Sequence, residues 1–189
     1  ALILLLALPM RGCKNEVLTP SIIEYDCRKD PTHVQIPETP GIKLKASRCQ
    51  DYIFTKKNMS AAIKIFASEY SSAFDLPEEE VMSKLSGITI EVSVIPRTLS
   101  NVYDIKGNFH KKPVPILGLA VDKDNIWLEV KTSKIHQTAL IHELVHIIIW
   151  RQNIVHGDPD HEGNKFSGWK IDHTLLIKRV NNILLDLDI

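Results

Sequence analysis

The sequence predicts an α+β fold in which a small antiparallel or mixed sheet packs on one helix, with further helices before and after it. Apolar residues recur at helical spacing from Ala61 to Asp75 and alternate with polar ones from Ile88 to Val94. A third stretch, from Ser133 to Asn153, is apolar nearly all round beyond Leu140, which is typical of a buried helix. The 189 residues, 44% of them apolar, suffice for one domain with its own core.

Two helices are predicted before the first of these strands. The first should end near Asp75, because Pro77 follows it closely. Pro77 and the three glutamates after it suit the first turn of a second, shorter helix, whose end is expected at Gly87. The apolar face of the first helix consists of Ala62, Ile63, Phe66, Ala67, Tyr70, Ala73 and Phe74.

The predicted strands lie between residues 88 and 130. The alternating strand should end at Pro96. The runs Leu117–Val121 and Ile126–Val130 flank turn-forming residues, which favours an antiparallel hairpin. After the helix of Ser133 to Asn153, a last amphipathic helix is expected over roughly Asp172–Leu187.

The start of the chain predicts export. Residues 2–8 are apolar like the core of a secretory signal, and Met10-Arg11-Gly12-Cys13 is similar to a bacterial lipoprotein cleavage box. Residues 1–13 are therefore predicted as a signal and lipobox-like segment. Residues 14–57, rich in proline and without a sustained period, are expected to form an arm or linker, and residues 58–189 the functional domain.

The three cysteines agree with export. Cys13 is the candidate lipidation site, which would tie the protein to a membrane of the cell envelope; an ordinary secreted protein cut near Gly12, or a buried N-terminal strand, is the alternative. With Cys13 set aside, Cys27 and Cys49 remain as a pair that can close a disulfide in an oxidising compartment.

Charge does not indicate a nucleic-acid partner. Lys and Arg number 23 and so do Asp and Glu, so that the chain has no net field to attract a polyanion. The basic stretch Lys106–Lys112 reads better as a solvated turn than as a phosphate-binding patch.

The segment His142-Glu143-Leu144-Val145-His146 carries the chemistry. Residues four apart on a helix project from one face, so both imidazoles can bind one cation while Glu143 reaches a water beside it. Because the helix is predicted to be buried, these groups must be hydrogen-bonded, paired or metal-bound. Zn²⁺ is the predicted cofactor, and a set of satisfied core histidines is the alternative.

A catalytic zinc needs a third protein ligand. The loop after the helix offers several residues with suitable side chains, and Gln152 excludes the metzincin pattern, which requires a histidine at that position. The candidates in the loop are His156, Asp158, Asp160, His161 and Glu162.

The stretch from His142 to Trp169 resembles the SprT-like (Spartan-type) zincins, with fourteen residues between His146 and His161. The resemblance implies a zincin-like fold, His142, His146 and His161 as zinc ligands, and Glu143 as the general base. It also implies that Phe166 and Trp169 are core aromatic residues behind the loop. Asp160 is the second choice for the third ligand, and Asp158 or Asp160 is expected to orient a ligand imidazole.

The predicted function is zinc-dependent hydrolysis of peptide or protein substrates by an exported, membrane-anchored metalloprotease. His156 and His173 are the candidates for the hydrogen-bond donor to the transition state. Leu117–Val121 is the candidate edge strand to which a peptide adds as a further strand, although a plain core strand would show the same pattern. The alternative function is a non-catalytic zinc-binding or structural envelope lipoprotein that keeps the fold; the presence of Glu143 argues against it, because a structural site needs no base.

Overall fold

The computed structural model describes residues 31–36, 38–39, 41–47, 56–103, 109–152 and 169–189. It confirms the α+β class, with four α-helices and a mixed sheet in this part of the chain. The helices are α1 (Lys56–Phe74), α2 (Glu78–Leu85), α3 (Leu140–Arg151) and α4 (Ile171–Asp186). The strands are β1 (Pro31–Gln35), β2 (Lys43–Ser47), β3 (Thr89–Ser93), β4 (Arg97–Leu99), β5 (Val102–Tyr103), β6 (Phe109–His110), β7 (Val114–Ile116), β8 (Gly118–Asp122) and β9 (Asn125–Glu129).

The main sheet has five strands in the order β1-β2-β3-β9-β8. The inner pairs β2–β3 and β3–β9 are parallel, whereas the outer pairs β1–β2 and β8–β9 are antiparallel. The predicted hairpin is therefore present, and its first strand, β8, is an edge of the sheet. Strands β4 and β7 pair with each other, as do β5 and β6.

Alternation along β9 distinguishes the two faces of the sheet. Ile126 and Leu128 belong to the hydrophobic core shared with the helices, whereas Trp127 and Glu129 point to the other face. Trp127 is buried there, and the guanidinium of Arg97 lies 4.7 Å from its ring centroid. The core that the sheet shares with α3 therefore lies on one face of the sheet, which we call the helix face. We call the opposite face the outer face.

Part of the predicted arm belongs to the sheet. Residues 31–47 supply β1 and β2, and Ile36, Ile42 and Leu44 are fully buried in the core. The expectation of an arm without regular structure is corrected for this stretch. The hairpin was hidden because each strand has only five residues and prolines lie between them, which weakens any periodic pattern.

The helix α3 begins later than the predicted start near Ser133. A short 3₁₀ turn covers Ile135–Gln137, Thr138 is extended, and α3 begins at Leu140. The hydroxyl of Thr138 accepts a hydrogen bond from the Leu140 backbone N–H at 3.2 Å, so this threonine ends the turn and opens the helix. The other predicted helices are confirmed to within a few residues, although α1 begins earlier, at Lys56.

Gly87 ends the predicted second helix in the expected way. The helix α2 stops at Leu85, and Gly87 has a φ of +80°, a conformation that glycine adopts without steric cost. The predicted signal segment, Cys13 and Cys27 fall within residues 1–30, which lie outside the described residues, as does Cys49. Within the described part of the chain, no helix combines the length and apolar content needed to cross a membrane.

Arg151 connects the last turn of α3 to two neighbouring segments through hydrogen bonds. Its guanidinium donates to the carbonyls of Lys84 and Ser86 at 2.7 and 2.6 Å. It also donates to the Lys123 carbonyl at 2.7 Å and to the Asp124 carboxylate at 2.6 Å, both in the β8–β9 turn. The side chain is only 16% exposed, so these bonds are largely shielded from water. Arg151 thus fixes the edge hairpin relative to α3.

We predict that Arg151→Met lowers the free energy of unfolding by about 2 to 4 kcal/mol, because it leaves several partly buried acceptors without a donor. Urea denaturation measures the change. The control is Arg179→Met, whose guanidinium is 50% exposed and pairs with Glu69; it should cost no more than about 1 kcal/mol. Equal effects of the two substitutions would contradict the assignment.

Candidate functional site

The helix α3 brings His142 and His146 together on one face. Their Nε2 atoms lie 2.9 Å apart, and their rings meet edge to face with centroids 4.6 Å apart. His146 is buried at 2% exposure, whereas His142 is half-buried. The two nitrogens therefore face the same point at the boundary between the core and the solvent.

This geometry fits a zinc ion. Two imidazole nitrogens at about 2.0 to 2.1 Å from a tetrahedral zinc lie about 3.3 Å from each other. The observed 2.9 Å differs from that value by a few tenths of an ångström, which small ring rotations absorb. The same distance also allows one neutral imidazole to donate to the other, an arrangement that satisfies the pair without a cation.

The candidates for a third ligand lie outside the described residues. His156, Asp158, Asp160, His161, Glu162 and Phe166 all fall within residues 153–168, so their predicted roles stay predictions. Among the residues that the structure describes, no group of three or more His, Cys, Asp or Glu side chains could hold a metal ion.

Glu143 lies against the edge strand. Its carboxylate Oε2 accepts a hydrogen bond from the backbone N–H of Ala120 at 2.7 Å, and the residue is only 4% exposed. A hydrogen bond to a carboxylate from a backbone amide is charge-assisted and therefore strong. Glu143 is thus held at the free edge of β8, one residue from the His142 imidazole and one turn from that of His146.

Gly118 makes this close approach possible. A Cβ at position 118 would lie 2.6 Å from Glu143 Oε1 and 2.6 Å from the Cβ of Ala139, both far inside contact distance. Glycine is therefore the residue that lets β8 pass directly over the first turn of α3. A glycine within a strand is itself a sequence signal for such an approach.

The ring of Trp169 packs against both imidazoles. Its ring centroid lies 5.3 Å from that of His142 and 5.0 Å from that of His146. Its indole N–H donates to the Thr174 hydroxyl at 3.1 Å, which fixes the ring on α4. The resemblance implied a core aromatic residue here, and the ring is half-buried and in contact with both predicted ligands.

His173 lies beyond Trp169, with ring centroids 5.5 Å apart. It is buried at 3% exposure and stacks on Phe74 at 4.3 Å. The Lys170 backbone N–H donates to its Nδ1 at 2.9 Å, so its Nε2 carries the proton and points to the Tyr70 hydroxyl at 3.4 Å. Both ring nitrogens thus face groups of the protein, and the role of His173 as a donor to the transition state stays a prediction.

Burial lowers the pKa of His173 to about 4 and raises that of Tyr70. Desolvation is the largest cause in both cases, because the charged form of either ring loses its hydration in the core. His173 is therefore neutral in the folded protein near neutral pH.

Sequence reasoning placed His142, Glu143 and His146 on one helix, as the structure has them, but it missed the contact of Glu143 with the edge strand. The hydrogen bond from the Ala120 amide and the close approach of α3 at Gly118 were not predicted, although a glycine within a strand indicates such an approach. Comparison with family models, with curated proteins and with solved structures finds no match to this chain.

We predict that Gly118→Ala destabilises the protein by about 1 to 3 kcal/mol, the usual cost of overpacking, because the new methyl group collides with Glu143 and Ala139. The measurement is chemical denaturation. In an Ala139→Gly background the same substitution should cost less, since one of the two colliding groups is gone. If the free-energy changes of the two substitutions are strictly additive, the methyl group at residue 118 does not collide with Ala139.

We predict that His173 makes stability fall in acid. Its pKa is about 4 in the folded state and 6.5 as its ordinary value, so the unfolded chain binds more protons between these limits. The contribution is fully present above pH 6.5 and is lost as the pH falls towards 4. From these values, metal-stripped protein should lose about 2 kcal/mol between pH 7 and pH 5 through this group.

The pH comparison uses two variants. His173→Phe, which keeps an aromatic ring against Phe74, should reduce that loss, whereas His110→Gln, at a half-buried strand position, should not. Parallel stability curves for wild type and His173→Phe would rule out the assignment.

Proposed function

We propose that this protein is a zinc-dependent peptidase of the HExxH type with a zincin-like fold. The observation that supports this most directly is the position of Glu143. Glu143 lies on the same buried helix as the two facing imidazoles, and its carboxylate is bonded at 2.7 Å to the edge strand of the sheet. A structural zinc site or a pair of core histidines gives no reason for a third buried ionisable group at this place.

The arrangement of elements supports the zincin-like comparison. The helix α3 packs on the helix face of the sheet, next to an edge strand that is antiparallel to its neighbour. Two helices lie between β2 and β3, and one helix follows the predicted ligand loop. An antiparallel edge strand beside the metal-binding helix is the feature that a strand-adding peptide requires.

In the proposed site His142, His146 and His161 hold the metal. When bound, zinc supplies a Lewis acid that makes a water acidic and polarises the substrate carbonyl. The remaining chemistry belongs to Glu143. The Ala120 amide holds the carboxylate through Oε2, and this carboxylate would take the proton from the attacking water and return it to the departing amine.

The Ala120 amide also orients the Glu143 carboxylate. The hydrogen bond at 2.7 Å restrains the plane of the carboxylate, so that the base has one direction and not several. Orientation of the base by the same strand that would align the substrate couples binding to catalysis.

The proposed location is the cell envelope, with export through residues 1–13 and either a lipid anchor at Cys13 or secretion. This part of the proposal rests on the sequence alone, as does the Cys27–Cys49 disulfide. The proposed substrate is a peptide or protein, and nucleic acid is not expected as a partner because the chain has equal numbers of acidic and basic residues.

We predict that protein purified without a chelator contains about one zinc per chain. We also predict that it hydrolyses an unfolded protein such as casein. Glu143→Gln should keep the zinc and lose activity by roughly 10²- to 10⁴-fold, because glutamine cannot accept the proton. Elemental analysis and a peptide-release assay measure the two properties.

The matched control is Glu69→Gln, a carboxylate on α1 that pairs with Arg179 away from the site. It should leave both zinc and activity unchanged. A folded wild-type chain that does not bind added zinc would contradict the proposed metal site. Zinc without any hydrolysis would favour the non-catalytic, zinc-binding envelope protein instead.

We predict that His161→Ala abolishes tight zinc binding, whereas Asp160→Asn retains the metal and weakens affinity or rate by roughly 10- to 100-fold. Removing a ligand empties the site, while removing a carboxylate behind a ligand only loosens its orientation. Zinc titration against a chromogenic chelator separates the two. The reverse pattern would make Asp160 the ligand and withdraw the SprT-like comparison.

A further inference from the structure

The two edges of the main sheet differ in how they are protected. β1 begins with proline and carries polar residues at alternate positions, features that discourage pairing with another chain. β8 reads Gly-Leu-Ala-Val-Asp and has neither proline nor lysine. An edge strand of this composition is open to pairing unless something covers it.

In the part of the chain that the structure describes, the backbone groups of β8 that face away from β9 belong to two residues. Glu129 donates its N–H to the Leu117 carbonyl at 2.9 Å, so residues 117 and 119 turn their backbone groups towards β9. Gly118 and Ala120 consequently turn theirs to the open edge. The bond from the Ala120 N–H to Glu143 confirms that direction.

The side chains of the same segment divide between the two faces. Gly118 and Ala120 lie on the helix face and are small. Leu117 and Leu119 point to the outer face by alternation. Leu117 is 55% exposed, and Val121, at an irregular position of the ladder, is 49% exposed.

We propose that β8 selects extended peptide segments whose side chains are apolar at alternate positions. This inference rests on the proposed peptidase function and names its substrate class. A segment that adds to β8 bonds to Gly118 and to the Ala120 carbonyl. Every second side chain then lies on the outer face, where Leu117 gains contact and loses exposure to water.

Charge favours a peptide over a second copy of this chain as the occupant. Pairing of β8 with β8 from another molecule would bring two buried Glu143 carboxylates to one seam. Like charges at short distance in a shielded place oppose such a dimer. A peptide without acidic residues meets no such opposition.

The test uses the full chain with Glu143→Gln, so that the probe is not hydrolysed. The probe is a fluorescein-labelled ten-residue peptide in which Leu and Ser alternate, compared with one in which Asn and Ser alternate. Fluorescence polarisation gives each Kd. The Leu peptide should bind at least five-fold more tightly, and Leu117→Ser should weaken it by about five- to ten-fold, the value of half a leucine side chain withdrawn from water.

The matched control is Leu185→Ser, since Leu185 on α4 has the same 55% exposure as Leu117. It should leave the Kd unchanged. Methylating the peptide amides at one set of alternate residues should abolish binding, while methylating the other set should not, because only alternate N–H groups of an added strand face β8. Equal binding of both peptides, or tolerance of both methylation sets, would overturn the proposal.

The outcome is separable from that of the proposed function. If wild type hydrolyses casein but Leu117→Ser does not change the Kd, the substrate class is wrong and the peptidase stands. If wild type hydrolyses nothing yet the alternating peptide binds through Leu117, the edge site stands and the peptidase fails. Sedimentation of the wild-type chain that shows dimers at the concentration used, lost in Ala120→Pro, would assign β8 to self-association and overturn the inference.

Discussion

The hydrogen bond between the Ala120 amide and the Glu143 carboxylate is the contact on which the proposed site depends. It joins the edge strand β8 to the helix α3 at 2.7 Å, and it does so at a residue that is almost fully buried. A buried carboxylate without partners would cost several kcal/mol, so the strand and the helix stabilise each other through this bond. The same bond orients Glu143 and occupies one of the outward backbone groups of β8.

Two other features make that bond possible, and they lie at opposite ends of α3. Near its first turn, the absent side chain of Gly118 lets the strand pass within contact distance of Glu143. At its last turn, Arg151 holds the β8–β9 turn through Lys123 and Asp124. The hairpin is therefore fixed at both ends, which explains how one edge strand can hold a carboxylate in a single orientation.

The sequence predicted those parts of the molecule whose signals are local. Spacing within α3 placed His142, Glu143 and His146 on one helix, and the turn residues after β8 predicted the hairpin. The β1–β2 hairpin was missed because its strands are short and proline-flanked, and it gains its stability from pairing with β3, which lies over forty residues further along the chain. The start of α3 was placed too early because the side chain of Thr138 competes with the helix for the Leu140 amide, an effect that apolar periodicity does not register.

The contacts that the sequence did not predict have a common cause, and that cause also bears on the proposed function. The Ala120 amide, the Gly118 gap and the contact of Trp169 with both imidazoles join residues far apart in the chain, and each concerns shape or backbone rather than side-chain chemistry. A motif names the groups able to react, whereas these contacts decide how the groups are held. In this chain the carboxylate is held by the strand that would align the substrate, so disturbance of β8 should alter binding and orientation of the base together. A site assembled in this way is better explained by chemistry on a strand-like ligand than by storage of a metal ion, because storage requires no alignment between a base and a sheet edge.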